Sequence, residues 1–103
     1  MHIFSHPSVD DFILKLDGAA WAKVDRLVQR LGVYGKELFM PDAKPIGSGL
    51  WELRSRGHPA IRILYGFCED HIILLVAFKK QANSIGFHQF KLAQKRLKML
   101  CPK

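Results

Sequence analysis

Apolar residues recur along this chain with two periods, first that of a helix and then that of a strand. Val9, Phe12, Ile13 and Leu16 fall on one face of a short helix. The Ser8 hydroxyl is placed to satisfy one of its orphan amides, with Asp11 in the first turn. Asp17-Gly18 breaks that helix. Trp21, Val24, Leu27, Val28 and Leu31 then form a second stripe, opposite Lys23, Asp25, Arg26, Gln29 and Arg30, and Gly32 and Gly35 bracket its end. Both stripes read as core faces, Trp21 included.

The period changes after residue 49. Residues 40–49 (Met-Pro-Asp-Ala-Lys-Pro-Ile-Gly-Ser-Gly) are rich in turn formers and read as a loop. A strand is expected over 50–56, with Trp51 and Leu53 on one face and Glu52, Arg54 and Arg56 on the other. A second is expected over 60–67, with Ile61, Ile63, Tyr65 and Phe67 opposite Arg62. A third, over 71–78, is apolar throughout, as a central strand covered on both sides would be. The short links Gly57-His58-Pro59 and Cys68-Glu69-Asp70 favour antiparallel hairpins. A last helix over 85–100 carries Phe87, Phe90, Ala93, Leu97 and Leu100 on one face, and Lys91, Lys95 and Lys98 on another. The expected fold is therefore α+β: two N-terminal helices on an antiparallel sheet of three to four strands, followed by a C-terminal helix.

The length of 103 residues suits one domain spanning residues 1–103. The longest apolar run, 72–78, is far short of the roughly 20 residues of a membrane span. Residues 1–7 show no basic segment followed by an apolar one, so neither a signal peptide nor a membrane partner is expected, and the expected compartment is the cytoplasm. Cys68 and Cys101 stand in no metal or redox spacing and are expected as two reduced thiols.

Charge changes the picture more. The net charge is +7, yet residues 1–49 hold six cations and six acids, while residues 50–103 hold ten cations and three acids. Beyond Asp70 no acid occurs. Such asymmetry is the footprint of a surface built for a polyanion, most simply RNA. If residues 57–59 form the first hairpin loop, Arg54 pairs with Arg62 across the strands, on the face away from Trp51 and Ile63. Two opposed arginines repel, and an anion between them would resolve this, because the planar guanidinium fork matches phosphate oxygens. Lys79-Lys80 ends the third strand near the open end of the same sheet. Arg54, Arg62, Lys79 and Lys80 are thus the candidate catalytic cluster, able to hold a phosphodiester and stabilise its transition-state charge. Spacing alone fits phosphate positioning without catalysis slightly better. Arg56, His88, Lys91, Lys95 and Lys98 are candidate RNA contacts. The five histidines form no metal-ligand set, and no metal or cofactor is expected.

Taken in order, Lys44-Pro-Ile-Gly-Ser-Gly-Leu-Trp-Glu-Leu-Arg54, Arg62-Ile-Leu-Tyr65 and Ala77-Phe-Lys-Lys80 resemble the phage-derived Gp49-like, HigB-type branch of the RelE/ParE toxin superfamily. The Ser8-Val-Asp-Asp-Phe12 helix start fits that branch as well. The resemblance implies a RelE-like fold with a short N-terminal strand near residues 1–4, and a toxin of a type II toxin–antitoxin system. It further implies a ribosome-dependent mRNA endonuclease that works without metal, by attack of the RNA 2′-hydroxyl on the neighbouring phosphate. Arg54 and Arg62 would grip that phosphate, Lys79 and Lys80 would add charge, and Lys91, Lys95 and Lys98 would hold ribosomal RNA. The partners implied are mRNA, the ribosome and a cognate antitoxin, often of helix-turn-helix type. After Lys80 the branch continues Thr-x-Lys-Thr-Pro, where this chain has Gln81-Ala-Asn-Ser-Ile-Gly86, and Phe87 lies near the place of a tyrosine used by RelE-like members. A gyrase-directed toxin of the same fold and a non-catalytic nucleic-acid or antitoxin-binding module are the alternatives.

Overall fold

A computed structural model describes residues 1–81 and 86–102. The chain runs β1 (His2–Ser5), α1 (Pro7–Leu14), α2 (Gly18–Tyr34), a 3-10 turn (Gly35–Glu37), β2 (Ala43–Gly47), β3 (Leu50–Ser55), β4 (Ile61–Cys68), β5 (His71–Lys79) and α3 (Phe87–Leu100). This is the expected α+β order. The start of the last helix at residue 85 lies outside the described residues.

Several local expectations change. The sheet has five strands in the order β1-β5-β4-β3-β2 rather than three or four. It is mixed rather than antiparallel, because β1 runs parallel to β5, with His2 opposite His71 and Ser5 opposite Leu74. Residues 43–47 form an edge strand within the stretch read as a loop: an edge strand tolerates Pro45 because its amide is not needed by a further neighbour. At α1 the capping side chain is that of His6, whose Nδ1 accepts from the Ser8 amide, and Pro7 takes the first helical turn. Ser8 instead bonds His6 and Arg96 through its hydroxyl. Asp17, seen in the sequence as a break, also caps α2 through the Ala20 amide at 2.9 Å.

The sheet separates two apolar layers. On one side Val9, Ala20, Val24 and Leu31 of α1 and α2 pack with Leu53, Ile61, Ile63, Tyr65, Ile72 and Leu74. On the other, Ala93 of α3 packs with Leu50, Leu64, Ile73, Leu75 and Val76, with Phe90 and Leu97 beside it. The third strand of the sequence reading is thus buried on both faces, as its unbroken apolar run requires. Trp21, by contrast, is 43% exposed and is not a core residue. Phe87 and Leu100 likewise leave the expected apolar face of α3 and are exposed.

Two devices seat α3. Gly66 leaves room for Leu97, whose methyls would lie 3.0 and 3.1 Å from a Cβ there. Arg96 donates to the Leu75 carbonyl (2.8 Å), where a bulge between Leu64 and Tyr65 shifts the β4–β5 register, and to Ser8 Oγ (2.9 Å). Cys68 and Cys101, expected as separate thiols, are joined in a disulfide with Cα atoms 5.8 Å apart. Folding brings the end of β4 to the C-terminus of α3, a proximity that their separation of 33 residues conceals. Among the described residues no helix is long and apolar enough to cross a membrane.

Candidate anion-binding site

The β3–β4 register places Arg54 directly opposite Arg62, as the hairpin length predicts. Glu52, two residues before Arg54 on the same face, pairs with Leu64. Its Oε1 lies 3.5 Å from Arg54 Nε and 3.8 Å from Arg62 Nε. The anion between the two arginines is therefore the protein's own carboxylate. Glu52 and Arg62 are buried, at 3% and 5% exposure. Two cations around one anion leave the cluster one positive charge in excess.

The two arginines are not equivalent. Arg62 Nη1 donates to the carbonyls of Ser55 (3.1 Å) and Ile61 (3.0 Å), so its head closes the β3–β4 hairpin end from inside. Burial holds its pKa below the ordinary arginine value; Glu52 acts in the opposite sense and Arg54 adds to the lowering. Arg54 is partly exposed, with 20% of its side chain accessible. Its Nη1 donates to the thioether of Met40 at 3.3 Å, a weak acceptor that a phosphate oxygen would displace.

Arg54 also lines a cleft of about 270 Å3 between α2 and the free end of β3. Lys23, Arg26 and Arg30 come from α2, Arg54, Ser55 and Arg56 from β3 and just after it, and Asp42 is its one carboxylate. Asp42 already holds Arg30, with Nε to Oδ2 at 3.2 Å. Arg54 pairs with Glu52, and among the described residues Lys23, Arg26 and Arg56 have no carboxylate within ion-pair distance. A concave wall with this excess concentrates positive potential and selects an anionic group.

The other expected site residues distribute as follows. Lys79 pairs with Ile61, which pairs with Ser55, so it shares the α2-side face and not that of the Arg54 and Arg62 side chains. Lys80 donates its amide to the Ala60 carbonyl (2.8 Å) just beyond the strand. Arg56 joins the cleft. His88, Lys91, Lys95 and Lys98 are exposed on α3 and contribute nothing to it. Lys91 instead sits over the Phe87 ring, and Lys98 lines a separate groove with Gly49, Phe67 and Leu97. Lys23, Arg26 and Arg30 were missed in the sequence because they lie in the charge-balanced half. The available signal was their spacing: three, then four residues, along one line of α2.

Fold and site together define a small α+β protein with an arginine-centred, cation-lined cleft at the edge of its sheet. Residues 11–98 match the family model described as phage-derived protein Gp49-like (DUF891), and the chain belongs to that family, which is related to RelE-type toxins. A comparison with curated proteins finds no match.

Proposed function

We propose that this protein is the toxin of a type II toxin–antitoxin system and cleaves mRNA on the ribosome, as a HigB-type member of its family. The observation that carries the reading is Arg54: paired with Glu52, it lines the cleft at the sheet edge together with four further cations. In the proposed step the 2′-oxygen of the RNA attacks the adjacent phosphorus, the bond from phosphorus to the 5′-oxygen breaks, and a cyclic phosphate and a 5′-hydroxyl result. The phosphorane transition state carries extra negative charge on its non-bridging oxygens. Fixed guanidinium donors stabilise that charge without reorganising. Arg54 would make this contact, with Arg56 and the α2 cations holding flanking phosphates. Arg62 would act through Glu52 by fixing the direction of Arg54. Lys79 and Lys80 would raise the local positive potential.

The protein would act in the cytoplasm, under a cognate antitoxin that covers the basic surface. Reducing conditions there would leave Cys68 and Cys101 as thiols, so the apolar packing of α3, Arg96 and the Leu97–Gly66 contact would hold the helix without the bridge. Induced alone, the wild-type chain is expected to arrest growth, and Arg54→Ala to relieve the arrest while still folding. A wild-type chain that accumulates folded and leaves growth unaffected would sink the proposal. DNA-damage signalling without loss of mRNA would instead point to a gyrase-directed toxin.

A further inference from the structure

Large apolar side chains stand exposed beside the cleft, and nothing in the core explains them. Tyr34 is 50% exposed, Phe39 56% and Met40 59%. Each is tied to a cleft residue. Tyr34 extends the line of Lys23, Arg26 and Arg30 by one more turn of α2, and the Arg30 guanidinium carbon lies 5.4 Å from its ring centre. Phe39 heads the tight turn into β2: its carbonyl accepts from the amides of Asp42 (3.1 Å) and Ala43 (3.2 Å). Met40 in that turn meets Arg54, and Asp42 meets Arg30. The Phe39 ring is braced from one side by Trp51, with centres 5.7 Å apart.

We propose that the cleft and this rim form one track for single-stranded nucleic acid, in which the cations of α2 and β3 hold phosphates and Phe39 and Tyr34 stack bases. This deepens the polyanion reading of the cleft and rests on it. Lys23 to Tyr34 spans 11 residues, about 16 Å at the helical rise, long enough to follow several successive nucleotides. Phosphates alone do not distinguish a single strand from a duplex. Exposed rings do, because bases stacked within a duplex cannot offer their faces to a protein, while any unpaired base can. The adjacency of cations and rings argues against an acidic peptide, which would occupy the cations and leave the rings bare. It argues equally against an apolar partner, which would have to bury the cations without partners.

The test measures binding to the full chain by fluorescence anisotropy, using DNA oligonucleotides of about eight nucleotides, the size of site such platforms take. DNA lacks the attacking 2′-hydroxyl, so binding is read without cleavage. Three ligands are compared: the single strand, its duplex, and a strand with the same phosphates but abasic positions. The expected result is a preference of about five-fold or more for the intact single strand over both others. Phe39→Ala should abolish that preference, Phe39→Tyr should keep it, and Arg26→Gln should weaken all three ligands alike. A 2-aminopurine base should be quenched on binding the wild-type chain and not Phe39→Ala; Tyr34→Ala supplies an independent second ring variant if Phe39→Ala does not fold. Equal affinity for intact and abasic strands, or an unchanged preference in the folded ring variants, overturns the stacking track and leaves the phosphate cleft standing. Failure of all three ligands to bind at low salt overturns the cleft itself.

Discussion

Glu52→Gln removes one negative charge from between two guanidinium groups while keeping the side chain's shape. At an effective dielectric of about 20, a carboxylate 3.5 to 3.8 Å from a guanidinium nitrogen gains roughly 4–5 kcal/mol per pair before desolvation. In the wild-type chain desolvation offsets much of this. In the variant the burial of Arg62 remains and the compensation is gone, and Arg54 still faces it across the ladder. Breaking a buried pair by removing one partner costs roughly 3–5 kcal/mol; the partial exposure of Arg54 places the expectation near the lower end, about 3 kcal/mol. For a domain of this size that is a fall in Tm on the order of 12–24 °C. The assay is urea and thermal unfolding followed by circular dichroism. Two further readouts isolate the charge. Sulfate should stabilise Glu52→Gln more than wild type, by replacing the missing anion. The double variant Glu52→Gln/Arg62→Met should be more stable than the sum of the two single changes implies, by about 1 kcal/mol or more. A Glu52→Gln chain within about 0.5 kcal/mol of wild type, or a strictly additive cycle, refutes the internal counter-ion account.

Arg62→Ala and Arg54→Ala should separate cleanly: the first loses the two carbonyl contacts and should destabilise by about 2–4 kcal/mol, while the second should change stability by about 1 kcal/mol or less and weaken oligonucleotide binding. Unfolding titrations beside anisotropy decide between these effects. Tyr65 is fully buried, and burial raises its phenol pKa above the ordinary 10.0. The unfolded chain therefore loses this proton first, so stability should fall as pH rises above about 10, and Tyr65→Phe should flatten that limb in a pH series of melts. Reducing the Cys68–Cys101 bridge opens a loop with a separation of 33 residues and should lower stability by roughly 3–4 kcal/mol, checked by melts with and without reductant, while leaving oligonucleotide binding in place. Affinity for single strands should fall with salt at a log–log slope near −2 if about three phosphates are held, and Arg54→Ala should make it shallower by about 0.7.

The patterns that reach the core were the ones the sequence made plain. Val24 and Leu31 on α2, the apolar run 72–78 of β5 and the Arg54–Arg62 pairing follow from helical spacing, burial on both faces and hairpin length. What stayed hidden depends on spatial neighbours. Glu52 lay visibly on the face of Arg54, yet its distance to Arg62 follows only from the side chains of a folded ladder. Counting charge by halves cancelled Lys23, Arg26 and Arg30 against Asp10, Asp11, Asp17 and Asp25, none of which lines the cleft. Pro45 and Gly47 disguised β2 as a loop, because an edge strand keeps turn-forming residues that an inner strand rejects. Parallel pairing of β1 with β5 is set by a contact across 69 residues that no local pattern encodes.

Cleavage of mRNA through Arg54 leaves a chemical signature on both new RNA ends. Transcript 5′ ends are mapped by primer extension after induction of the wild-type chain and of folded Arg54→Ala, with the chemistry of both new ends determined. New cuts are expected within translated regions, bearing cyclic phosphates and 5′-hydroxyls, appearing only while ribosomes occupy the message, and vanishing in Arg54→Ala. Growth arrest with intact transcripts, or cuts that persist in Arg54→Ala, would contradict it.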